Sequence, residues 1–408
     1  MLRVSALVAC SLVLAARTLA EDPRVFVLDV KQLLDTRQRV AAGDAELRPA
    51  IEQLTADADV ALSAGPYSVV DKEVVPPSGD KHDYMSQAPY WWPNPDTKTG
   101  LPYIRRDGER NPEIHKLRNR LHLGEMSDNV EALALAWFFT GEKRYAGRAT
   151  TLLRTWFLDP ATRMNPHLKF GQGIPGINTG RGIGLIETRT LVRVVDSIGL
   201  LAGSDAWTDA DQRGMQQWFT EFLDWMLRSE YGRDEAAAEN NHGTYYDVQV
   251  ISFALFLDQH ELATEVLREV GKKRIALQVR PDGRQPLELA RTKAWSYSVG
   301  NLAGLMTLAR LGEHADIDLW NFKTDEGAGI RAALDFLVPF GTGRQEWRYP
   351  QINGFEPELL SPLLRIAAAK YPDAQFRQFA SRRGPIKPTS RSHLVISPLE
   401  PISRLHTR

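Results

Sequence analysis

The sequence predicts an all-α chain: an α/α toroid, an incomplete barrel of helical hairpins, with a long loop rich in aromatics and arginine over its groove. Two observations predict it. Segments with apolar residues at helical spacing recur along most of the chain between Gly and Pro breaks, while strand-like alternation is sparse. The segments also come in pairs, as helical hairpins do, without the fixed-length repeat of a tetratricopeptide array. At 408 residues and 43% hydrophobic, the chain can bury a large core.

The first helix is expected over Ala45–Ala64. Asp44 caps it, Leu47, Ile51, Leu54 and Ala58 form its apolar stripe, and Gly65-Pro66 stops it. A second opens at Ser127 or Asp128 and runs through Val130, Leu133, Leu135 and Trp137 to a break at Gly141. Its hairpin partner carries Tyr145, Leu152, Leu153 and Trp156. Further helices are expected over Ile183–Leu201, Asp209–Arg228, Tyr246–Leu257, Leu262–Val279, Val299–Leu311, Gly329–Val338 and Pro357–Lys370. Two stretches break the pattern. Tyr67–Arg120 is long and rich in Pro, Gly and aromatics, and structured loops of that length are usually functional. The segment from 381 to 408 is basic and contains Pro and Ser, the pattern of a loosely held tail.

Residues 1–20 read as a signal peptide. Arg3 supplies the positive start, Val4–Ala16 the apolar run, and Thr18-Leu19-Ala20 the small-residue cleavage site. Leu7-Val8-Ala9-Cys10 resembles a lipoprotein box, but the apolar run continues past Cys10, which favours plain export to the periplasm or medium. Cleavage removes the single cysteine, so a mature chain has no disulfide and no thiolate ligand. The organisation expected is a signal peptide (1–20), one helical domain (21–380) and the tail (381–408). No later segment is apolar for long enough to span a membrane. The formal net charge of −1 argues against a global polyanion binder, nucleic acid included; an acidic ligand would need a local basic patch. Oligomeric state is left open.

Four stretches carry possible chemistry. In the long loop, Tyr90 and Trp91 stand near Arg105 and Arg106. Aromatic rings stack on the apolar faces of pyranoses and guanidinium groups fork onto carboxylates, so the pairing suits an acidic sugar better than plain loop packing. Asn240-Asn241-His242 sits just before an apolar helix; in the plainest reading Asn241 or His242 only caps it. Glu288-Leu289-Ala290-Arg291-Thr292 is followed by Tyr297, which alone would be an ordinary helix. Gly176-Ile177-Asn178-Thr179-Gly180-Arg181-Gly182 is a Gly-rich turn, but no Gly-Lys-Ser/Thr follows to make it a phosphate loop.

Together, the Asn-Asn-His segment, the Glu-Leu-Ala-Arg-Thr segment with its downstream Tyr, and the Tyr-Trp-Trp-Pro loop resemble the alginate lyase superfamily, across most of the mature chain. The similarity is greater to polysaccharide lyase family 38 than to family 5, where Ser-Tyr-Trp usually follows the Asn-Asn-His; here Gly243-Thr244-Tyr245 follows. The resemblance implies an α/α toroid and β-elimination on a uronic-acid polymer, alginate or glucuronan. It assigns catalysis to Asn241, His242, Arg291 and Tyr297, with Asn178 a further substrate contact. Asn240, Tyr90, Trp91, Arg105 and Arg106 complete the expected substrate-binding set.

The chemistry asks for these residue types. The C5 proton beside a uronate carboxylate is weakly acidic while that carboxylate is charged. Asn241 and Arg291 can neutralise it and stabilise the developing enolate. Tyr297 can serve as base and then acid when proton and leaving oxygen share a face, helped by His242 or replaced by it for opposite-face removal. No metal or organic cofactor is required, and the His-Glu-x-x-His zinc motif is absent. Two alternatives remain: a hydrolase using Glu239, Asp247 or Glu288, and a non-catalytic carbohydrate-binding protein.

Overall fold

The computed structural model describes residues 22–371, 373–382 and 387–396. The expected signal peptide, with Cys10, lies outside them. Sixteen α-helices are described: α1 Val30–Ala41, α2 Arg48–Ala61, α3 Asn119–Thr140, α4 Lys143–Leu153, α5 Leu191–Leu201, α6 Asp209–Arg228, α7 Glu230–Ala236, α8 Asn241–Phe256, α9 His260–Val270, α10 Ala276–Gln278, α11 Pro286–Leu289, α12 Ala294–Gly312, α13 Ile330–Gly341, α14 Ser361–Lys370, α15 Ala374–Arg382 and α16 Ser392–Val395. Hairpin partners pack sequentially, α3 on α4 and α8 on α9, and across the ring α3 meets α5 while α8 meets α5, α6 and α12. The result is the α/α toroid that the helix pattern predicts.

Local chemistry explains the boundaries. Gly141 ends α3 in the left-handed conformation (φ 73°), where a side chain would be strained. Thr208 and Asp211 form a reciprocal capping box at the start of α6. By contrast, α8 and α12 are buried on nearly every face and show almost no amphipathic stripe, as expected of helices at the centre of a ring. Both present their first turns to the same region.

Several boundaries differ from expectation. Asp44 does not cap α2, which starts at Arg48; its side chain accepts from the Glu46 N–H and pairs with Arg39. α3 begins at Asn119, not at Ser127, whose hydroxyl instead donates back to the Leu123 carbonyl inside the helix. The expected helix from Ile183 is a 3-10 run over Gly182–Thr190 before α5. The one expected over Leu262–Val279 passes through a π-helical turn at Gly271–Ile275. α1 and α7 were not foreseen.

The strands are four short pieces: β1 Met85–Gln87, β2 Trp91–Trp92, β3 Ile104–Arg105 and β4 Phe170–Gly173. β1 runs parallel to β4, and β2 and β3 form an antiparallel hairpin with Trp91 opposite Arg105. Tyr84 and Ser86 fasten this region to the ring by donating to Glu187 at 2.8 and 2.6 Å. In the expected tail, residues 381–382 end α15 and residues 387–396 are described, with Leu394 buried and Arg391 paired with Asp57. Residues 383–386 and 397–408 lie outside the described residues.

Candidate active site

The starts of α8 and α12 and the β2–β3 hairpin supply the site. Asn240 is the cap of α8, its side chain accepting from the His242 N–H, so Asn241 and His242 belong to the first turn. Asn241 is buried and bound to Glu288: its backbone N–H donates at 2.7 Å and its side-chain amide at 2.9 and 3.0 Å. His242 presents Nδ1 to the buried carboxylate of Glu235 at 2.9 and 3.1 Å. With Glu235 ionised, Nδ1 is the protonated nitrogen; Nε2 has no hydrogen-bond partner among the described residues and remains available as an acceptor. Burial pushes both Glu235 and Glu288 above the usual carboxylate range, against the pull of His242 on the first and Asn241 on the second.

The second half of the site lies in the first turn of α12. The Tyr297 hydroxyl is 2.8 Å from that of Tyr90 and accepts from Arg291 Nη2 at 3.0 Å. The guanidinium also lies over the Tyr297 ring, 4.0 Å from its centre. Arg291 is clasped by Asp107, from Nε at 3.1 Å to both oxygens and from Nη2 at 2.7 Å. Burial pushes the Asp107 carboxyl up, but Arg291 and the Thr292 N–H outweigh it and hold it well below its ordinary value. Burial, then the contact with Tyr90, drive the Tyr297 phenol well above its ordinary range, and Arg291 offsets this only in part.

Of the two groups that could help Tyr297, Arg291 reaches its oxygen directly while sharing its charge with Asp107, and the hydrogen bond that His242 makes is to Glu235.

The other predicted residues fall as follows. Tyr90 joins the site directly. Trp91 is half-buried in β2, and its carbonyl accepts from Asn111. Arg105 is exposed and pairs with Asp107 at 2.7 Å. Arg106 is exposed and stacks over Trp92, not Trp91, 5.1 Å from the ring centre. Asn178 is exposed and folds its own turn, its side-chain carbonyl accepting from the Ile174 N–H. Of the carboxylates a hydrolase would use, Asp247 is spent on the buried guanidinium of Arg274 at 2.6 Å and Glu288 on Asn241, while Glu239 is exposed.

Sequence reasoning missed Glu235, Asp107 as a partner of Arg291, and Arg181. Arg181 leaves the Gly-rich turn to donate to Gln172 at 2.7 Å, and burial holds its guanidinium down to about 10. Gln172 has φ 52°, rare for a residue with a side chain. A signal for Asp107 was present: an acid among four arginines, at positions 105, 106, 110 and 118, is placed to neutralise one of them.

A helical ring with Asn, His, Arg and Tyr gathered at two inner helix starts is the architecture of a polysaccharide lyase of the α/α-toroid type, and the comparisons with known proteins agree. The family model for alginate lyase matches residues 68–347. The crystal structure of an alginate lyase from Bacteroides ovatus superimposes with a TM-score of 0.89 at 40% identity, covering 92% of this chain and 99% of that one. Alginate lyase A1-III from Sphingomonas species A1 superimposes with a TM-score of 0.58 at 14% identity, over 93% of this chain and 97% of its own. A single-residue variant of the same enzyme, complexed with a tetrasaccharide, gives 0.63 at 14%, over 94% and 98%; at that identity both show the fold alone. No curated protein matches the chain. The chain belongs to the alginate lyase family and is a polysaccharide lyase.

Proposed function

We propose that the protein cleaves alginate by β-elimination at mannuronate-type linkages, with Tyr297 as both base and acid. The observation that carries this reading is the Tyr297 hydroxyl held between Tyr90 and Arg291 at 2.8 and 3.0 Å, in the same site as Asn241 and His242. As phenolate, Tyr297 takes the C5 proton. The electron pair forms the C4–C5 double bond, the C4–oxygen bond breaks, and the leaving oxygen takes the proton back from Tyr297. The burial that keeps the free phenol protonated makes the phenolate a strong base once formed, while Arg291 Nη2 stabilises its charge. Asn241 and Arg291 receive the uronate carboxylate, and His242 Nε2 serves as base where the C5 proton lies on the opposite face; Trp91, Arg105, Arg106, Asn178 and Asn240 serve neighbouring sugars.

The motif reading supports family 38 as the closer subdivision. It also supports export to the periplasm or medium after cleavage behind Ala20, which mass spectrometry of the mature protein tests: a chain starting at Glu21 is expected, and a lipid on Cys10 would refute it. The substrate test is incubation with polymannuronate, polyguluronate and glucuronan. A new ultraviolet-absorbing double bond is expected, fastest on polymannuronate. Reducing ends without that absorbance would mean hydrolysis, and a faster reaction on glucuronan would move the substrate away from alginate.

A further inference from the structure

Arg291 is described above as a partner of Tyr297, but most of its hydrogen-bonding capacity goes elsewhere. A guanidinium has five N–H donors. Nε and one hydrogen of Nη2 serve Asp107, and the other hydrogen of Nη2 serves the Tyr297 oxygen. The Nη1 edge has no partner among the described residues. Asp107 is itself held firmly: the Thr292 N–H donates to its carboxylate at 3.2 Å, and the Thr292 hydroxyl lies 2.9 Å from its carbonyl and 3.1 Å from its carboxylate. The next residue makes this approach possible. Gly108 has φ 77°, and a Cβ there would stand 2.3 Å from Thr292 Oγ1 and 2.9 Å from Ile352 Cδ1. The chain at Asp107 is therefore brought as close to the Arg291 segment as a backbone without a side chain allows.

We propose that Asp107 is a positioning residue for the elimination: by occupying the Nε–Nη2 fork of Arg291, it aims Nη2 at the Tyr297 oxygen and leaves Nη1 as the edge offered to the substrate carboxylate. The inference rests on the reading of Tyr297 as base and acid. A uronate carboxylate is chemically the same group as the Asp107 side chain and would take the free fork bidentately. Without Asp107, the substrate would be gripped more tightly in the ground state while Nη2 is drawn off the phenol oxygen. Binding that is stronger in the ground state but not in the transition state lowers KM without raising kcat.

The test compares Asp107→Asn, Asp107→Glu and Thr292→Val with the wild type on polymannuronate of one chain length. Asp107→Asn is expected to lose about tenfold to a hundredfold in kcat, the scale of a misaimed group, with KM unchanged or lower. Its rise of kcat/KM with pH should shift to lower pH, because the negative charge that opposes phenolate formation is gone. Asp107→Glu keeps the charge but moves it by a methylene, so kcat falls while the pH profile stays in place. Thr292→Val removes the hydroxyl that fastens Asp107 but keeps the Thr292 N–H contact and the fork, so its kcat should fall far less than that of Asp107→Asn and its KM should stay near wild type. Wild-type kcat in either Asp107 variant would overturn the proposal. So would a raised KM shared by Asp107→Asn and Thr292→Val, which would make Asp107 a loop fastener. If Asp107→Asn does not fold, Asp107→Glu alone decides on the same kcat criterion. Loss of turnover in Tyr297→Phe alongside an unaffected Asp107→Asn would sink this inference alone; turnover surviving in Tyr297→Phe would sink the elimination reading itself.

Discussion

The α8 corner and the loop corner of the site use the same parts, a polar side chain near a helix start with a carboxylate behind it, but their carboxylates answer to opposite forces. Glu235 and Glu288 are sealed in the core against His242 and Asn241, and burial pushes them up. Asp107 is part-exposed on a hairpin, and a guanidinium holds it down. The first corner is preorganised by the packing of the ring. The second is assembled across 184 positions of sequence from a loop that meets a helix start. Damage to the first corner should therefore appear in stability as well as rate, and damage to the second mainly in rate.

The largest expected effect sets one corner against the other on different linkages. Tyr297→Phe should reduce formation of the unsaturated product from polymannuronate by about 10²–10⁴, the usual loss for an acid–base residue, with an unchanged circular dichroism spectrum. His242→Ala should do most harm on polyguluronate, whose C5 proton lies on the opposite face from the leaving oxygen. Equal losses from both variants on both polymers would mean that the corners do not divide the work by face. The Tyr297 phenol is held above its ordinary value, so less phenolate is present at neutral pH. In the wild type kcat/KM should climb with pH through neutrality, by about tenfold per unit below the governing pKa.

Next in size is a stability effect confined to the α8 corner. Arg274 is buried, bound to Asp247, and also donates at 2.9 Å to the carbonyls of Ala236 and Ala238, the turn that places Glu235 behind His242. Arg274→Met leaves a buried carboxylate without its partner, at a cost of about 3–5 kcal/mol. Thermal unfolding should show a large fall in Tm, together with weaker turnover. A Tm close to wild type would show that this corner is not the rigid half of the site.

The same contrast explains what the sequence could reveal. Asn241, His242, Arg291 and Tyr297 were singled out because two short motifs carry the resemblance to the alginate lyase superfamily; read without it, they would be a helix cap and an ordinary helix. Their carboxylates Glu235 and Asp107 were not singled out. Glu235 reaches His242 through a turn between α7 and α8 whose path depends on Arg274, a residue of a different helical stretch. Asp107 finds Arg291 because Gly108 lets two distant segments touch, a contact with no local periodicity. The helix boundaries were legible in part. α6, with its capping box at Thr208, was placed to the residue, but a cap alone was not enough: α1 and α7 are capped by Asp29 and Ser229 and were missed, and the start of α3 carries no side-chain cap at all.

A smaller effect concerns Glu288 and pH. Its folded-state value is raised, so the ionised form is the one penalised by folding. That penalty is absent at low pH, where the group is protonated in both states, and grows as pH rises from its unfolded value of about 4.3 through the folded one. Glu288→Gln keeps an acceptor for Asn241 and cannot ionise. Its Tm relative to wild type should therefore improve between about pH 4 and pH 7. A relative Tm that falls over that range would mean Glu288 sits in a stabilising charge balance and is not simply desolvated.

The smallest effect belongs to the outer face of the loop corner, and here salt separates two kinds of contact. Arg105 is exposed, and its partner Asp107 keeps Arg291 if Arg105 is lost. Trp91 is held by backbone hydrogen bonds, its N–H to the Ala88 carbonyl and its carbonyl from the Asn111 amide, so removing the indole leaves the hairpin standing. Neither Arg105→Ala nor Trp91→Ala should move Tm much, since exposed ion pairs contribute only about 0–1 kcal/mol. Both should raise KM for the polymer by about two- to fivefold, the equivalent of such an energy. Their response to salt should differ. An exposed guanidinium attracting a uronate is screened once the Debye length falls to about 3 Å near 1 M salt, so the defect of Arg105→Ala should fade there. A ring stacked on the apolar face of a sugar owes its attraction to water, which added salt does not screen, so the defect of Trp91→Ala should persist. If the Trp91→Ala defect fades with salt like that of Arg105→Ala, the indole acts only by placing charge. If neither variant changes KM at any salt concentration, this face of the hairpin is packing, and recognition of the polymer rests on the two inner helix starts.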